Sequence, residues 1–219
     1  MPEGFHPALE EYLHVVYELE EDGIPVIRAR LAERLGYSAP SVTEMVRRLV
    51  EDGYLEVTER SLHLTAEGRD VAESVVRKHR LAERLLTDVI GLEWYKAHRE
   101  AGRWEHVISD EVEARLIHLL DKPATCPHGN PIPGLATKKP RMRALGECAA
   151  GDQVRVARVT ETLEMDYDSL AYLDAHGVRP GSAAKIASRA PDGTIVVAVG
   201  RDKVALGPAL AAEVYATVD

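Results

Sequence analysis

Two helical patterns meet in residues 28–53, RARLAERLGYSAPSVTEMVRRLVEDG. In the first pattern, Leu31 and Leu35 lie four positions apart, and Gly36 ends the run. In the second pattern, apolar residues recur every three or four positions, at Val42, Met45, Val46 and Leu49. Ser38, directly before that pattern, is a typical N-cap residue. The stretch therefore predicts a short helix, a tight turn and a second helix.

The sequence on either side extends this arrangement. Residues 7–21, PALEEYLHVVYELEE, have the spacing of a helix with one apolar face. The apolar positions are Leu9, Leu13, Val16 and Leu19. Residues 54–64, YLEVTERSLHL, alternate around 59–61 and predict two short strands. Helix, short helix, turn, helix and hairpin is the order of a winged helix-turn-helix.

Three more helices are predicted after this hairpin, from Thr65 to about Ile90, at 92–108 and at 110–120. Their apolar surface is larger than one hairpin of helices can bury, which predicts packing against a second copy of the chain. The residues concerned are Leu81, Leu85, Val89, Trp94, Trp104, Val107, Leu116 and Leu120.

The composition changes after Asp121. Residues 121–147 hold five prolines and are interpreted as a loop followed by a linker. From Gly151 onward, four short runs alternate around one helix at about 166–176, which predicts a small β-barrel. The expected fold is mainly α with a small β part, and the predicted domains are 1–74, 75–145 and 146–219.

Composition excludes several classes of protein. The chain has 219 residues, of which 45% are hydrophobic and 29% charged, the balance of an ordinary globular protein. It contains no apolar run long enough for a membrane helix, and its first six residues lack a signal-peptide pattern. Two cysteines are too few for a disulfide framework. We therefore expect a cytoplasmic protein without a membrane partner.

The formal net charge of −9 is concentrated in the N-terminal third. Residues 1–74 hold seven arginines and no lysine against sixteen acids, which by itself argues against binding nucleic acid. Residues 28–60, however, contain six arginines and six acidic residues, so the predicted helix-turn-helix has no net charge. Most of the excess lies on the first helix, which is either a solvated face or a site for a cation.

Histidine and glutamate recur at helical spacing further along the chain. His79 and Glu83 lie four residues apart, and His98 and Glu105 lie seven apart with His106 beside them. Imidazole and carboxylate ligands suit Mn(II), Fe(II), Co(II) or Zn(II). The alternative is that each residue is simply a solvated or internally paired polar side chain.

Four longer motifs resemble the diphtheria toxin repressor family of metal-dependent regulators. They are RKHRLAERLL at 77–86, DVIGL at 88–92, RWEHV at 103–107 and GNPIPG at 129–134. The resemblance implies a homodimeric repressor that binds double-stranded operator DNA when loaded with Mn(II) or Fe(II). Such a repressor controls genes of metal uptake or homeostasis. It is not an enzyme and takes no small organic substrate. It also implies that a metal-binding and dimerisation domain follows the winged helix and that the C-terminal barrel is SH3-like.

The resemblance further implies two metal sites per subunit. The ligands of one are His79, Glu83, His98, Glu161 and Glu164. Those of the other are Glu11, Gly102, Glu105 and His106. Gly102 stands where family members have Cys or Glu, and glycine has no ligating side chain, so this site is one ligand short. Glu10 or His14 is an alternative ligand, and the remaining oxygen and imidazole donors favour Mn(II).

The predicted recognition helix begins at Ser38 or Ala39 and presents its N-terminal part to DNA bases. The short residues expected near bases are Ser38, Pro40, Ser41 and Thr43. The arginines expected near phosphates are Arg28, Arg47, Arg48 and Arg60. Glu44 occupies the position where the family usually has Gln. Glu44 is expected either to accept a hydrogen bond from a cytosine or to be a solvated helix residue.

Metal control is expected to work through the first helix, because Glu11 and Glu105 repel each other until a cation lies between them. Two alternatives stay open: a winged-helix regulator with an organic or protein effector, and a metallohydrolase with an open coordination position. Cys126 and His128, in the proline-rich loop, are interpreted as parts of a structural turn rather than as a zinc or thiol site.

Overall fold

The computed structural model describes residues 7–136 and 140–218. These residues form two compact units. The first unit extends to His79 and includes 104–109; the second contains 80–103 and everything from Asp110 onward. The N-terminal six residues, on which the expectation about a signal peptide rests, lie outside the described residues.

The first unit is a winged helix-turn-helix, as predicted. Its elements are α1 (Pro7–Glu21), α2 (Arg28–Leu35), α3 (Ala39–Glu51), β1 (Leu55–Thr58), β2 (Ser61–Leu64) and the start of α4 (Ala66–Arg84). Gly36 ends α2 with a left-handed φ of 69°, a conformation that favours glycine. Ser38 caps α3, because its side-chain oxygen accepts a hydrogen bond from the Ser41 amide at 3.3 Å.

The apolar faces of these elements meet in one core. Its fully buried members include Leu13, Val16, Leu31, Val42, Val46, Leu49 and Leu62. The hairpin pairs Leu55 with Leu64 and Thr58 with Ser61 in an antiparallel register. Thr65 Oγ1 accepts from the Gly68 amide at 3.1 Å and begins α4. The helical spacing of the sequence thus corresponds to the buried face of each element.

One predicted helix reaches its expected end with a changed geometry, and the next is shorter than predicted. α-Helical geometry ends at Arg84, and a π-helix continues over Leu85–Ile90. Thr87 Oγ1 donates to the Glu83 carbonyl at 3.0 Å, a local bond that competes with the regular ladder. The expected helix at 92–108 is a 3₁₀ turn, Trp94–Lys96, followed by α5 (Ala97–Ala101), because Gly102 caps it. The helix predicted at 110–120 is α6 (Asp110–Leu119).

The C-terminal part is a six-stranded antiparallel sheet, consistent with the SH3-like prediction. Its strands are β3 (Arg143–Ala144), β4 (Gln153–Val159), β5 (Ala183–Arg189), β6 (Ile195–Val199), β7 (Asp202–Leu206) and β8 (Val214–Val218), in the order β3-β8-β4-β5-β6-β7. Short helices α7 (Glu161–Glu164), α8 (Tyr167–Ala175) and α9 (Pro208–Ala212) connect them, with a 3₁₀ turn at Leu145–Glu147. The sequence patterns predicted β4 to β7 and α8, but not β3, β8, α7 or α9.

The sheet and α8 enclose a second core, formed mainly by aliphatic residues such as Val156, Leu170, Ile186 and Val197. Within the described ranges, no helix combines the length and apolarity needed to span a membrane.

Candidate metal centres

The N-terminal cluster consists of six polar side chains in the first unit. They are Glu10, His14 and Glu18 on α1, His79 on α4, and Glu105 and His106. Glu105 is the central residue: its Oε1 lies 3.0 Å from His14 Nδ1 and 3.3 Å from His106 Nε2, and its Oε2 pairs with His79 Nδ1. His106 Nδ1 lies 2.7 Å from Glu10 Oε2.

Burial and neighbouring charges together shift the pKa values of this cluster. His14 and Glu105 are only 7% and 5% exposed. Burial lowers the pKa of His14, but the carboxylates of Glu105 and Glu18 outweigh it and hold the pKa well above 6.5. Burial raises the pKa of Glu105, and His14 and His79 overcome this and hold it far below its usual range. The raised pKa of His14 favours its positively charged form, which compensates the Glu105 carboxylate where a divalent cation would otherwise do so.

His14 also connects the cluster to the helix-turn-helix. Its Nε2 lies 2.8 Å from Glu18 Oε1, and the other Glu18 oxygen accepts from Arg34 on α2 at 3.2 Å. A line of paired side chains therefore runs from Glu105 through α1 to α2.

Two residues predicted for this site, Glu11 and Gly102, are arranged differently. Glu11 accepts a hydrogen bond from the Tyr37 hydroxyl at 3.0 Å, because it projects a step round α1 from Glu10 and His14. Gly102 belongs to the second unit as the C-cap of α5. An added Cβ there would come no closer than 3.8 Å to a neighbouring atom, so space does not require glycine. The structure instead brings Glu10 and His14, the named alternatives, to Glu105 and His106.

The C-terminal cluster lies within the second unit and combines three kinds of ligand. Its members are Glu83 on α4, His98 on α5, Cys126 and His128 in the proline-rich loop, and Glu161 and Glu164 on α7. His128 Nδ1 lies 3.2 Å from Glu83 Oε1 and 3.0 Å from Glu164 Oε2. His98 Nδ1 lies 3.3 Å from Glu83 Oε1 and 3.1 Å from Glu164 Oε2.

Four of the five ligands that the resemblance assigned to one site belong to the second unit, and there the structure brings Glu83, His98, Glu161 and Glu164 together. The fifth, His79, is the last residue of the first unit, where it pairs with Glu105. The turn predicted for Cys126 and His128 is present, since the Gly129 amide donates to the Cys126 carbonyl at 3.0 Å. It also directs both side chains toward Glu83, which the sequence interpretation missed. The Cys-x-His spacing was a signal, but its partners are distant in sequence.

Neighbouring groups hold the carboxylates of this cluster in place. Asn130 donates from Nδ2 to Glu164 Oε1 at 2.5 Å, and its Oδ1 accepts from Arg158 at 2.7 Å. Arg80 donates to Glu161 Oε1 at 2.6 Å, with Arg80 only 1% exposed. Thr160 caps α7, which projects Glu161 and Glu164 from one turn.

The donor set fits a divalent cation. His128 donates its Nε2–H to the Trp94 carbonyl at 3.2 Å, so its Nδ1 faces the carboxylates, as in a metal-bound histidine. His128 Nδ1 and Glu164 Oε2 are both buried and lie 3.0 Å apart, so either a proton or a cation can join them. Burial lowers the pKa of His128, but Glu164 and Glu83 hold it well above 6.5; burial and the same acids raise the pKa of Cys126.

The predicted DNA-contacting residues all lie in the first unit and are all exposed. They are Arg28, Ser38, Pro40, Ser41, Thr43, Glu44, Arg47, Arg48 and Arg60. Several already have local partners: Ser38 and Ser41 hydroxyls lie 2.8 Å apart, and Thr43 donates to the Ala39 carbonyl at 2.8 Å. Glu44 accepts hydrogen bonds from both Arg47 and Arg48.

Comparison with known proteins identifies the family. Family models for the iron dependent repressor match the chain as an N-terminal DNA binding domain over residues 5–62 and as a metal binding and dimerisation domain over 65–134. A FeoA domain model matches residues 143–218.

Individual relatives agree with these models. The chain is 48% identical over 188 residues to the diphtheria toxin repressor of Corynebacterium efficiens, covering 81% of each protein. It is 44% identical over 209 residues to the iron-dependent repressor IdeR of Mycobacterium tuberculosis, covering 90% of this chain and 91% of the relative. A solved manganese-dependent transcriptional repressor in complex with manganese superposes with a TM-score of 0.87 at 33% identity, covering 96% of this chain and 99% of the other. The chain therefore belongs to the iron-dependent repressor family of metal-dependent transcriptional repressors.

Proposed function

We propose that this chain is activated by Mn(II) or Fe(II), binds operator DNA as a homodimer and represses genes of metal uptake or homeostasis in the cytoplasm. The observation that carries the proposal is the N-terminal cluster, whose buried ligands include His14 on the first helix of the DNA-binding unit. The proposed domains are 1–74, 75–145 and 146–219; the matched family models occur in the same order, over 5–62, 65–134 and 143–218. A regulatory role, not catalysis, is the function of the family.

The N-terminal cluster would hold the activating ion through His14, His79, Glu105 and the Glu10–His106 pair. When bound, the ion would supply positive charge beside the Glu105 carboxylate, a role that protonated His14 can fill in its absence. Oxygen and nitrogen ligands of this kind suit Mn(II) and Fe(II). The names of the relatives are consistent with either metal, since IdeR is called iron-dependent and the structural neighbour manganese-dependent.

The chain's own residues would transmit this occupancy to DNA. Glu18 joins His14 to Arg34, so the position of α1 determines the position of α2. Glu11 holds Tyr37, which directly precedes the Ser38 cap of the recognition helix. An ion that binds one arrangement of α1 more tightly shifts the unit toward that arrangement. A coupling of about 1–3 kcal/mol per subunit is the usual scale.

The C-terminal cluster would hold a second ion through Glu83, His98, Cys126, His128, Glu161 and Glu164. The added thiol distinguishes it, because a thiolate ligand favours Fe(II) or Zn(II) over Mn(II). Asn130 and Arg80 act as positioning residues, since each occupies one oxygen of a ligand carboxylate.

A second copy of the chain would cover the exposed apolar residues of the helical part. Val89, Ile90, Val112 and Leu119 are between 47% and 61% exposed in the second unit. Side chains of this type are normally covered in an oligomer when they form a contiguous patch.

The experiment is a fluorescence-anisotropy titration of DNA from the promoters of metal-uptake genes, with EDTA, Mn(II), Fe(II) under anaerobic conditions, or Zn(II). Metal analysis and light scattering of the same samples measure the ion count and the oligomeric state. We expect a dimer that binds DNA at least ten-fold more tightly with Mn(II) or Fe(II) than with EDTA. Equal binding in EDTA would indicate a regulator with a different effector and would overturn the proposal.

A further inference from the structure

The exposed face of α3 has an internal ion-pair network. Arg47 donates from Nε and Nη2 to the two oxygens of Glu44, at 3.0 and 2.8 Å. Arg48 donates from Nε to Glu44 Oε1 at 2.9 Å. One carboxylate thus binds two of the arginines predicted to contact phosphates.

The remaining nitrogen of the Arg47 guanidinium is also engaged. Its Nη1 donates to both oxygens of Glu51, at 2.5 and 2.6 Å. All three nitrogens of Arg47 therefore face carboxylates, and the four side chains together carry no net charge. A DNA phosphate must replace at least one carboxylate before it binds this guanidinium with the same bidentate geometry.

The network is exposed and therefore exchangeable. The side chains of Glu44, Arg47 and Arg48 are 47%, 53% and 61% exposed. Exposed pairs are individually weak and are screened by salt, so phosphates are able to compete for the arginines. Hydrogen bonds from Arg47 and Arg48 hold the pKa of Glu44 at about 2, so the carboxylate stays ionised throughout the neutral pH range.

We propose that Glu44 is a specificity-determining residue that holds Arg47 and Arg48 away from the phosphates of non-operator DNA. Non-specific affinity depends on the number of phosphates that a protein neutralises. Pairing within α3 reduces that number, whereas base contacts from the start of α3 at an operator would offset the loss of the internal pairs. The inference rests on the proposed function, because it assumes that α3 lies against DNA.

The test compares the full-length protein with Glu44→Gln in the presence of Mn(II). The probes are a 30-bp duplex of random sequence and a duplex selected from a randomised pool by the unaltered protein. Affinities are measured by anisotropy over a series of KCl concentrations. We expect the variant to bind random DNA about three- to ten-fold more tightly at low salt, with the slope of log K against log salt steeper by about 1–2. The preference for the selected duplex should fall.

Two further variants separate this effect from net charge. Glu67→Gln removes the same charge from the exposed first turn of α4 and should leave the slope unchanged. Glu51→Gln removes one partner of Arg47 but leaves Arg48 paired, so its effect should be intermediate.

An unchanged slope in Glu44→Gln, or the same change in Glu67→Gln, would overturn the inference. Weaker binding together with a changed base preference in newly selected duplexes would also overturn it, because Glu44 would then read a base. DNA binding that is indifferent to EDTA would refute the proposed metal control, while the slope comparison would still decide the role of Glu44. If the unaltered protein selects no duplex from the pool and does not bind random DNA, both proposals are refuted.

Discussion

The two clusters share carboxylates and imidazoles but differ in what surrounds them. In the N-terminal cluster, the line of pairs from Glu105 leads through His14 and Glu18 to Arg34 on α2. In the C-terminal cluster, Glu164 and Glu161 are held by Asn130 and Arg80, and His128 is held by a backbone carbonyl. The first cluster is connected to helices that would meet DNA, and the second is braced within its own unit. We therefore propose that the N-terminal cluster acts as the switch and that the C-terminal cluster stabilises its own unit.

The largest expected effect comes from breaking the N-terminal cluster with Glu105→Gln. The change removes the charge that His14, His79 and His106 share, so Mn(II)-dependent DNA affinity should fall by about 100-fold, within the usual scale of allosteric coupling. Anisotropy measures the affinity, and light scattering should show an unchanged dimer. Glu164→Gln removes the same charge from the C-terminal cluster, and its effect on DNA binding should be below ten-fold. The reverse order of effects would contradict the contrast between the clusters.

The Cys126 thiol distinguishes the C-terminal cluster from the N-terminal one, and its effect can be measured as a preference between metals. Cys126→Ser should lower Zn(II) affinity by about ten-fold or more while changing Mn(II) affinity little, because thiolate is a soft ligand. Competition with a chromophoric chelator measures both affinities. In Co(II)-loaded protein, the thiolate charge-transfer band should disappear. Equal losses for Zn(II) and Mn(II) would argue that Cys126 contributes to packing only.

The pH dependence of the metal-free protein tests the role of the imidazolium groups in both clusters. The pKa values of His14, His98 and His128 are held well above 6.5 by neighbouring carboxylates, against the opposing effect of burial. Their stabilising contribution is fully present below pH 6.5 and is lost as the pH rises through the raised pKa values. The free energy of unfolding in EDTA should therefore decrease from pH 6 to pH 9, as measured by urea denaturation.

The same titration with saturating Mn(II) is the control. The bound ion replaces the protons, and ligand deprotonation favours metal binding at higher pH. The metal-loaded protein should thus lose less stability than the EDTA-treated protein over this range. Parallel curves would indicate that the imidazoles do not take part in holding the ion.

The smallest expected effect concerns Tyr37, which holds Glu11. Its hydroxyl donates to Glu11, and this hydrogen bond raises the pKa of Tyr37. Tyr37→Phe removes a bond with a net value of about 0.5–1.5 kcal/mol and releases a carboxylate beside the N-terminal cluster. Mn(II) affinity should rise about two- to five-fold by isothermal titration calorimetry. A decrease would mean that Tyr37 stabilises the metal-bound arrangement instead.

Much of the architecture could be predicted because it depends on local interactions. The cap at Ser38, the left-handed Gly36 and the apolar spacing of α3 all act within a few residues of one another. The helix predicted to Ile90 does extend that far, but Leu85–Ile90 is π-helical. The Thr87 hydroxyl competes there for the Glu83 carbonyl, and spacing alone does not reveal such a bond.

The sites were less accessible to prediction. The family resemblance predicted Glu83, His98, Glu161 and Glu164 as metal ligands, and the structure brings these four side chains together. It did not name His128, whose partners Glu83 and Glu164 are 45 and 36 positions away in the sequence. Likewise, Glu10 and Glu11 are adjacent residues of the same type, so the sequence does not distinguish them as ligands. The orientation of α1 against residues 104–109 places Glu10 beside His106 and Glu11 beside Tyr37.

The amino-acid sequence by itself determined the winged helix-turn-helix, the helical segments, most of the barrel strands and the family, because spacing, caps and motifs are properties of short stretches of chain. Only the tertiary structure decided which acids and imidazoles share a site. A ligand set depends on distances of about 3 Å between side chains from separate elements, and a rotation of one residue along a helix changes its members.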